Sequence, residues 1–295
     1  MSLYASLDDI RSELNAEKTV GDRDVMGYSR SFSRRIDRMF MERGSNLFVP
    51  TIATRSILID GLNINSWNRT LALRTPDGVI SPILTMSAAS IGSQALTIGT
   101  NVQLYPTMPS PYTALQLMGD TFNSWYDWCS STWGTRYVTV TGTWGYNSDY
   151  ENAWVPATTL AENINDTVKT FDVTSLVASD EMSDEDGLPV TISAGSLIQI
   201  GSEWMNVVSV NTVTSTITVK RAVNGSTAAA HTSADVISVY MVDSAIRRAV
   251  TRQAAFMYAR KGAFDTVRIS DFSTITFPTD LLHEVNSLVG LYANL

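Results

Sequence analysis

The chain has 295 residues, 44% of them hydrophobic and 17% charged. That apolar mass fills a real core and excludes a disordered or collagen-like chain, while the length exceeds one typical core and predicts two subdomains. A single cysteine, Cys129, excludes an intrachain disulfide, a cysteine-based zinc site and an iron–sulfur cluster.

Serine and threonine number 33 each, and 9% of residues are aromatic. This mixture predicts β-structure with polar strand faces. Met1 to Ile10 carry Asp8 and Asp9 and no apolar run, so no signal peptide is expected. No run of about 18 apolar residues occurs, so no membrane span is expected. The expectation is a soluble, non-enzymatic protein of a reducing compartment or a virion.

The formal charge is −8, and it is unevenly placed. Residues 1–45 balance eight basic against eight acidic side chains, and 46–155 hold four against six. Residues 156–243 hold three basic against eleven acidic, and 244–295 six against four. An acidic block of this kind argues against phosphate binding by the central segment.

Ser6-Leu-Asp-Asp9 resembles a capping box, and Leu7, Ile10 and Leu14 predict a short helix behind it. A longer helix is predicted from Asp24 to Arg43, with Val25, Tyr28, Phe32, Ile36, Met39 and Phe40 at helical spacing. Gly44 would stop it. Arg30, Arg34 and Arg38 recur every four residues, opposite Phe32 and Ile36.

From Asn46 the period changes. Thr70–Arg74 and Val79–Met86 flank Thr75-Pro-Asp-Gly78, which predicts a hairpin around a type I turn. Ala95–Leu104 reads as one strand, and Tyr137–Thr141 as another. Tyr112–Asp127 fits helix or strand equally. Thr167–Val177 and Val190–Ile200 bracket an acidic tip holding Asp180, Glu181, Asp184, Glu185 and Asp186. Ile198–Ile200 leads through Gly201-Ser202 into Glu203–Val210, a two-residue hairpin. Thr216–Lys220 and Asp235–Met241 complete an all-β module. Helical period returns at Asp243-Ser244 and runs to Lys261, with Gly262 ending it; a last helix starts at Pro278.

These elements predict an α+β fold: a helical-bundle base built from the N- and C-terminal helices, a β-hairpin region, and an inserted small all-β domain. The divisions are 1–45 for the N-terminal helices, 46–155 for the β-rich region, 156–241 for the inserted acidic module, and 242–295 for the C-terminal helices and tail.

No phosphate loop, dinucleotide fingerprint, zinc-protease helix or nucleophile elbow is present. Glu203 and His231 read as a structural hydrogen bond rather than a base and its orienter, since no nucleophile accompanies them. Cys129 reads as an inert thiol. The acidic tip departs from the calcium-loop pattern and reads as a solvated turn, so neither metal nor cofactor is expected. Trp125, Trp128, Trp133, Trp144 and Trp154 lie close in sequence. They suit a subunit interface better than a stacking platform for sugars or single strands. For the arginine stripe a docking role and an ordinary solvated face stand side by side.

Three stretches together resemble the head–tail connector (adaptor) proteins of tailed bacteriophages. They are the paired N-terminal helices followed by Asn46-Leu-Phe-Val-Pro50 and Thr54-Arg55, the strand Tyr137–Tyr146 with its Gly-x-Trp-Gly turn, and Ile246–Lys261 with Arg247, Ala249, Gln253, Ala254, Tyr258 and Arg260. Residues 156–241 stand as an insertion between turn and helix. Within it, Gly195-Ser-Leu-Ile-Gln-Ile, Glu203-Trp-Met-Asn-Val and Arg221-Ala-Val-Asn-Gly-Ser-Thr-Ala-Ala-Ala-His231 resemble a β-module of phage neck and tail proteins.

The resemblance implies a homo-oligomeric ring of about twelve copies in the virion neck, docked under the portal and assembled in the host cytoplasm. It implies contact with the portal and the next neck or tail protein, and genomic DNA passing without sequence-specific contact. It places portal docking in the C-terminal segment, with Phe277, Leu281, Leu288, Leu291 and Tyr292 as candidates. The alternatives are another tail, baseplate or capsid-decorating protein, and a carbohydrate-binding module using the tryptophans.

Overall fold

The computed structural model describes residues 3–14, 21–39, 47–60, 62–74, 81–106, 111–118, 137–176, 190–259, 282 and 287. The chain divides into two compact units, Met39–Asn152 and Met1–Arg38 with Ala153–Leu295.

In Met39–Asn152 the strands are β1 (Thr51–Leu58), β2 (Ile64–Asn65), β3 (Thr70–Ala72), β4 (Ile83–Ile91), β5 (Gln94–Leu96), β6 (Val102–Tyr105), β7 (Ala114–Leu117) and β8 (Tyr137–Trp144). They form two four-stranded sheets, ordered β1-β8-β4-β5 and β2-β3-β7-β6. One core serves both. Ile57, Ile91, Val138 and Val140 enter it from the first sheet, and Leu71, Val102, Leu115 and Leu117 from the second. Alternation along β8 decides its inner face: Val138 and Val140 are buried while Tyr137 is exposed. At Gly142 a Cβ would lie 2.1 Å from the Thr85 carbonyl oxygen. Only glycine lets β8 close on β4 at that irregular rung.

Thr70–Arg74 and Val79–Met86 meet where the Ser81 N–H donates to the Leu73 carbonyl at 2.8 Å, and their strands then part: β3 pairs with β2 and β7, and β4 with β5 and β8. Residues 75–78, the expected turn, lie outside the described residues. Ala95–Leu104 is not one strand. The Asn101 side chain accepts the Thr97 N–H at 2.9 Å, and Gly99 takes a φ of 80°. That turn separates β5 from β6 and sends them to different sheets.

The second unit holds β9 (Trp154–Thr159), β10 (Thr170–Asp172), β11 (Leu197–Ile200), β12 (Glu203–Asn211), β13 (Thr216–Lys220) and β14 (Val236–Tyr240). Their order is β10-β13-β12-β11-β14-β9. The two outer strands also meet: Leu160 bridges Val173, the Thr174 N–H donates to the Thr159 carbonyl at 2.9 Å, and the Ala161 N–H to that of Asp172 at 3.0 Å. The sheet thereby closes into a small barrel with no long free edge. Phe171, Ile198, Ile200, Met205, Ile217 and Ile237 fill it. The hairpin through Gly201-Ser202 forms as its sequence predicts, with Ile200 opposite Glu203.

Among the described residues three helices belong to this unit: α1 (Leu7–Leu14), α2 (Asp22–Met39) and α3 (Ser244–Ala259). The capping box of α1 closes in both directions. Asp9 Oδ2 accepts the Ser6 N–H at 2.7 Å, and Ser6 Oγ accepts the Asp9 N–H at 3.3 Å. Arg247 of α3 donates to Asp9 Oδ1 at 2.5 Å. Leu3, Tyr4 and Ala5 are buried ahead of α1. The Tyr4 hydroxyl donates to Asp37 on α2, and the Ser29 hydroxyl to the Ala5 carbonyl at 2.9 Å.

The helical-bundle α+β architecture is therefore corrected. The described residues are mostly β, with three sheets and three helices. The physical reason lies in what covers the helical stripes. Leu3 and Met26 approach the barrel at Gly195, where a Cβ would sit 2.7 and 3.1 Å from them. Helix α2 thus rests on the barrel through Met26 while α1 packs against α3, so the helices flank a β-structure rather than form the base of the fold. The final helix expected from Pro278 lies outside the described residues except at two positions; there, the Leu282 N–H donates to the buried Gln253 side chain at 2.9 Å.

Candidate functional site

Glu203 opens β12 beside the tight turn and is fully buried. Arg221 follows β13 and aims its guanidinium at it, Nε to Oε1 at 2.9 Å and Nη2 to Oε2 at 2.6 Å. His231 Nε2 lies 2.9 Å from Oε2, and the Ala229 and Ala222 N–H groups donate at 3.0 and 3.2 Å. The remaining Arg221 donors go to the Asn165, Val168 and Ala229 carbonyls. Burial alone would push the Glu203 carboxyl up, but the Arg221, Ala229 and His231 hydrogen bonds hold it below the ordinary carboxylate range.

This is a staple. Ala222, Asn224 and Gly225 take positive φ values of 51°, 53° and 84°, turning the chain sharply after β13. Ser226 Oγ accepts the Trp204 N–H at 3.0 Å and donates to the Val223 carbonyl at 2.9 Å. The His231 backbone then pairs both ways with Ile164. All the carboxylate's partners belong to the fold, so the group is committed to holding the loop. Sequence reasoning joined Glu203 to His231 but missed Arg221; the signal for it was an arginine opening a turn-forming string three residues before Asn-Gly.

Trp144 is corrected as an interface candidate. It is 1% exposed, lies in the core, donates its indole N–H to the Ala53 carbonyl at 2.9 Å, and stacks under Arg55 with the guanidinium 4.6 Å from the ring. Burial pulls the Arg55 pKa below its usual value. A side chain sealed inside its own unit has no surface left for a partner. Trp154 is half-buried in an aromatic group with Trp204 and Tyr240, ring centroids 5.5 and 5.1 Å away. Trp125, Trp128, Trp133 and Cys129 lie outside the described residues. So do the acidic tip, Asp180, Glu181, Asp184, Glu185 and Asp186, and the portal candidates Phe277, Leu281, Leu288, Leu291 and Tyr292.

Arg30, Arg34 and Arg38 are exposed on α2, while Phe32 and Ile36 are buried on its other side. Two surfaces escaped sequence reasoning. The outer face of the first sheet carries Thr54, Ser56, Thr85, Ser87, Ala88, Ser90, Thr139 and Thr141, with Thr54 and Thr141 hydroxyls 2.8 Å apart. Leu62 and Trp67 are 85% and 94% exposed on side-chain-capped turns. Asp60 Oδ1 accepts the Leu62 N–H and Asn65 Oδ1 the Trp67 N–H, each at 3.1 Å. The composition Asn65-Ser-Trp-Asn68 was the available signal.

Among the described residues no group of three or more His, Cys, Asp or Glu side chains is placed to hold a metal ion, and no helix is long and apolar enough to cross a membrane. Comparison with protein-family models, curated proteins and solved structures finds no significant match for this chain.

Proposed function

We propose that this chain is a structural virion protein, a head-to-tail adaptor forming a ring under the portal and surrounding the DNA channel. The observation that carries the reading is the staple. Residues 221–231, the string resembling phage neck and tail proteins, spend Arg221, Asn224, Gly225, Ser226, Ala229 and His231 on closing one loop over Glu203. A rigid β-module held by a buried ion network suits a particle component under mechanical load, and Glu203, Arg221 and His231 are committed to that network.

A second support is the return of the chain. Helices from both ends, α1 and α3, join through Asp9 and Arg247 in one unit. Decoration and fibre proteins have no need of that arrangement. The portal-docking role stays with Phe277, Leu281, Leu288, Leu291 and Tyr292, and the partners are the portal, the next neck or tail protein and other copies of this chain. The mostly β content of the described residues favours one further reading, a tail or capsid-decorating protein sharing the module.

Quantitative mass spectrometry of intact particles separates the two. A copy number near that of the portal is expected. A number many times larger overturns the adaptor reading in favour of tail or decoration, and absence from particles overturns both.

A further inference from the structure

We propose that residues 267–275 of one copy of this chain add as a strand to the edge strand β1 of the next copy, where Asp271 meets Arg55. The inference rests on the ring reading above and names a contact between neighbours.

Among the described residues β1 pairs with β8 alone, so one side of an eight-residue strand keeps its backbone N–H and C=O groups unpaired within the sheet. The register against β8 runs unbroken from Thr51 to Leu58, with no bulge to bend the edge away. The core is also open there. On β8 the inward side chains Val138 and Val140 are buried, whereas on β1 the inward Ala53 and Arg55 are half-buried before Ile57 is sealed.

Arg55 makes this edge selective. Its guanidinium lies 4.6 Å from the centre of the Trp144 ring, and burial draws its pKa down. Among the described residues its N–H donors have no hydrogen-bond or ion-pair partner. A cation stacked on one face and unpaired at its rim suits a carboxylate brought in by another chain. An inward charge also turns away strands that do not match it.

Charge decides against a second β1 as the occupant. In a long antiparallel overlap with faces matched, the two Arg55 side chains stand opposite or about two residues apart, and like charges there repel. The strand required alternates, apolar toward the core, with an acid in the middle of that row.

The chain's own sequence supplies one, outside the described residues. In Val267-Arg-Ile-Ser-Asp-Phe-Ser-Thr-Ile275, the residues Val267, Ile269, Asp271, Ser273 and Ile275 share one row. Nine residues match the eight of β1, and none of them is glycine or proline. On the other row Arg268, Ser270 and Thr274 suit the hydroxyl-bearing outer face of Thr54, Ser56, Thr139 and Thr141, and Phe272 is its one apolar member. The neighbours in this sheet are all antiparallel. In that sense Asp271 opposite Arg55 sets Ile269 opposite Ile57 and Ser270 opposite Ser56. A donated strand and a receiving edge are different patches, so the contact is heterologous, the kind that propagates around a ring.

The test uses the full chain in a Cys129→Ser background, carrying Ser56→Cys and Ser270→Cys. Facing residues of antiparallel strands lie within disulfide reach. Mild oxidation and electrophoresis without reductant should give a ladder of covalent multimers. Moving the second cysteine to position 269, on the opposite row, should abolish it. Asp271→Arg should lower the multimer yield about tenfold, the scale of one charge-assisted hydrogen-bonded pair. Adding Arg55→Asp should restore it, which also shows that the altered chain folds. An intrachain disulfide overturns the proposal by making the segment a strand of its own copy. So do the absence of any disulfide, an equal ladder from Ile269→Cys, and a charge swap without rescue. A portal-like copy number with no ladder sinks this contact alone. A ladder with a copy number far from the portal's sinks the ring instead and keeps the strand.

Discussion

Arg221 grips Glu203 through two parallel hydrogen bonds, 2.9 and 2.6 Å long, with their side chains 5% and 0% exposed. A buried pair of this kind adds little net stability over an apolar pair of equal volume, yet breaking it leaves one charge stranded. Glu203→Gln is therefore expected to destabilise the chain by about 3–5 kcal/mol. Urea unfolding followed by circular dichroism measures it. A loss below about 1 kcal/mol, the worth of one ordinary hydrogen bond, would show that the network is not a staple.

The same carboxyl predicts an acid response. Its folded pKa lies below the unfolded value of about 4.3. The stabilisation is thus complete above that value and lost as pH falls through the folded pKa. Between pH 7 and 5 the difference in unfolding free energy between wild type and Glu203→Gln should stay flat, then shrink in more acid solution. A difference that already shrinks between pH 7 and 6 contradicts the assignment.

Trp144 combines core packing, an indole hydrogen bond and the Arg55 stack. Trp144→Ala should cost about 3–5 kcal/mol. Trp144→Phe keeps most of the packing and should cost less, near the worth of one hydrogen bond plus the ring's extra area. Thermal melts of the two variants, compared with their state of association, check the placement: lost association with unchanged stability would return Trp144 to an interface.

Asp9 works twice, closing the α1 capping box with one oxygen and receiving Arg247 with the other. Asp9→Ala should loosen α1 by about 1–2 kcal/mol, the range of a lost cap. Hydrogen exchange at Ile10 to Leu14 reads this locally, and protection there should fall while the barrel strands keep theirs.

Gly142→Ala tests the close approach of β8 and β4, because the added methyl meets backbone rather than a movable side chain. A loss of about 1–3 kcal/mol is expected. Equal stability of variant and wild type in urea would show that the two strands can part at that rung without cost.

Local chemistry was legible in the chain itself. The Ser6–Asp9 box, the Gly201-Ser202 turn, the strand Thr216–Lys220 and the amphipathic face of Arg30, Arg34 and Arg38 depend on neighbours within about four residues, and each stands where its pattern puts it. The pairings were not legible. Nothing within Thr70–Arg74 or Val79–Met86 says that their strands enter different sheets. An isolated apolar stripe on a helix also does not say whether another helix or a barrel covers it.

The amino-acid order alone determined the acidic block, the arginine stripe, the turn chemistry and the absence of a sequence motif for catalysis, since each is a matter of composition or short spacing. Tertiary structure decided that the mostly β chain closes one sheet through Leu160 and Val173, that Trp144 is core, and that Arg221 reaches Glu203 across 18 residues. Those outcomes rest on contacts between distant segments. Their free energy comes from burial shared across the whole core, and no window of sequence contains it.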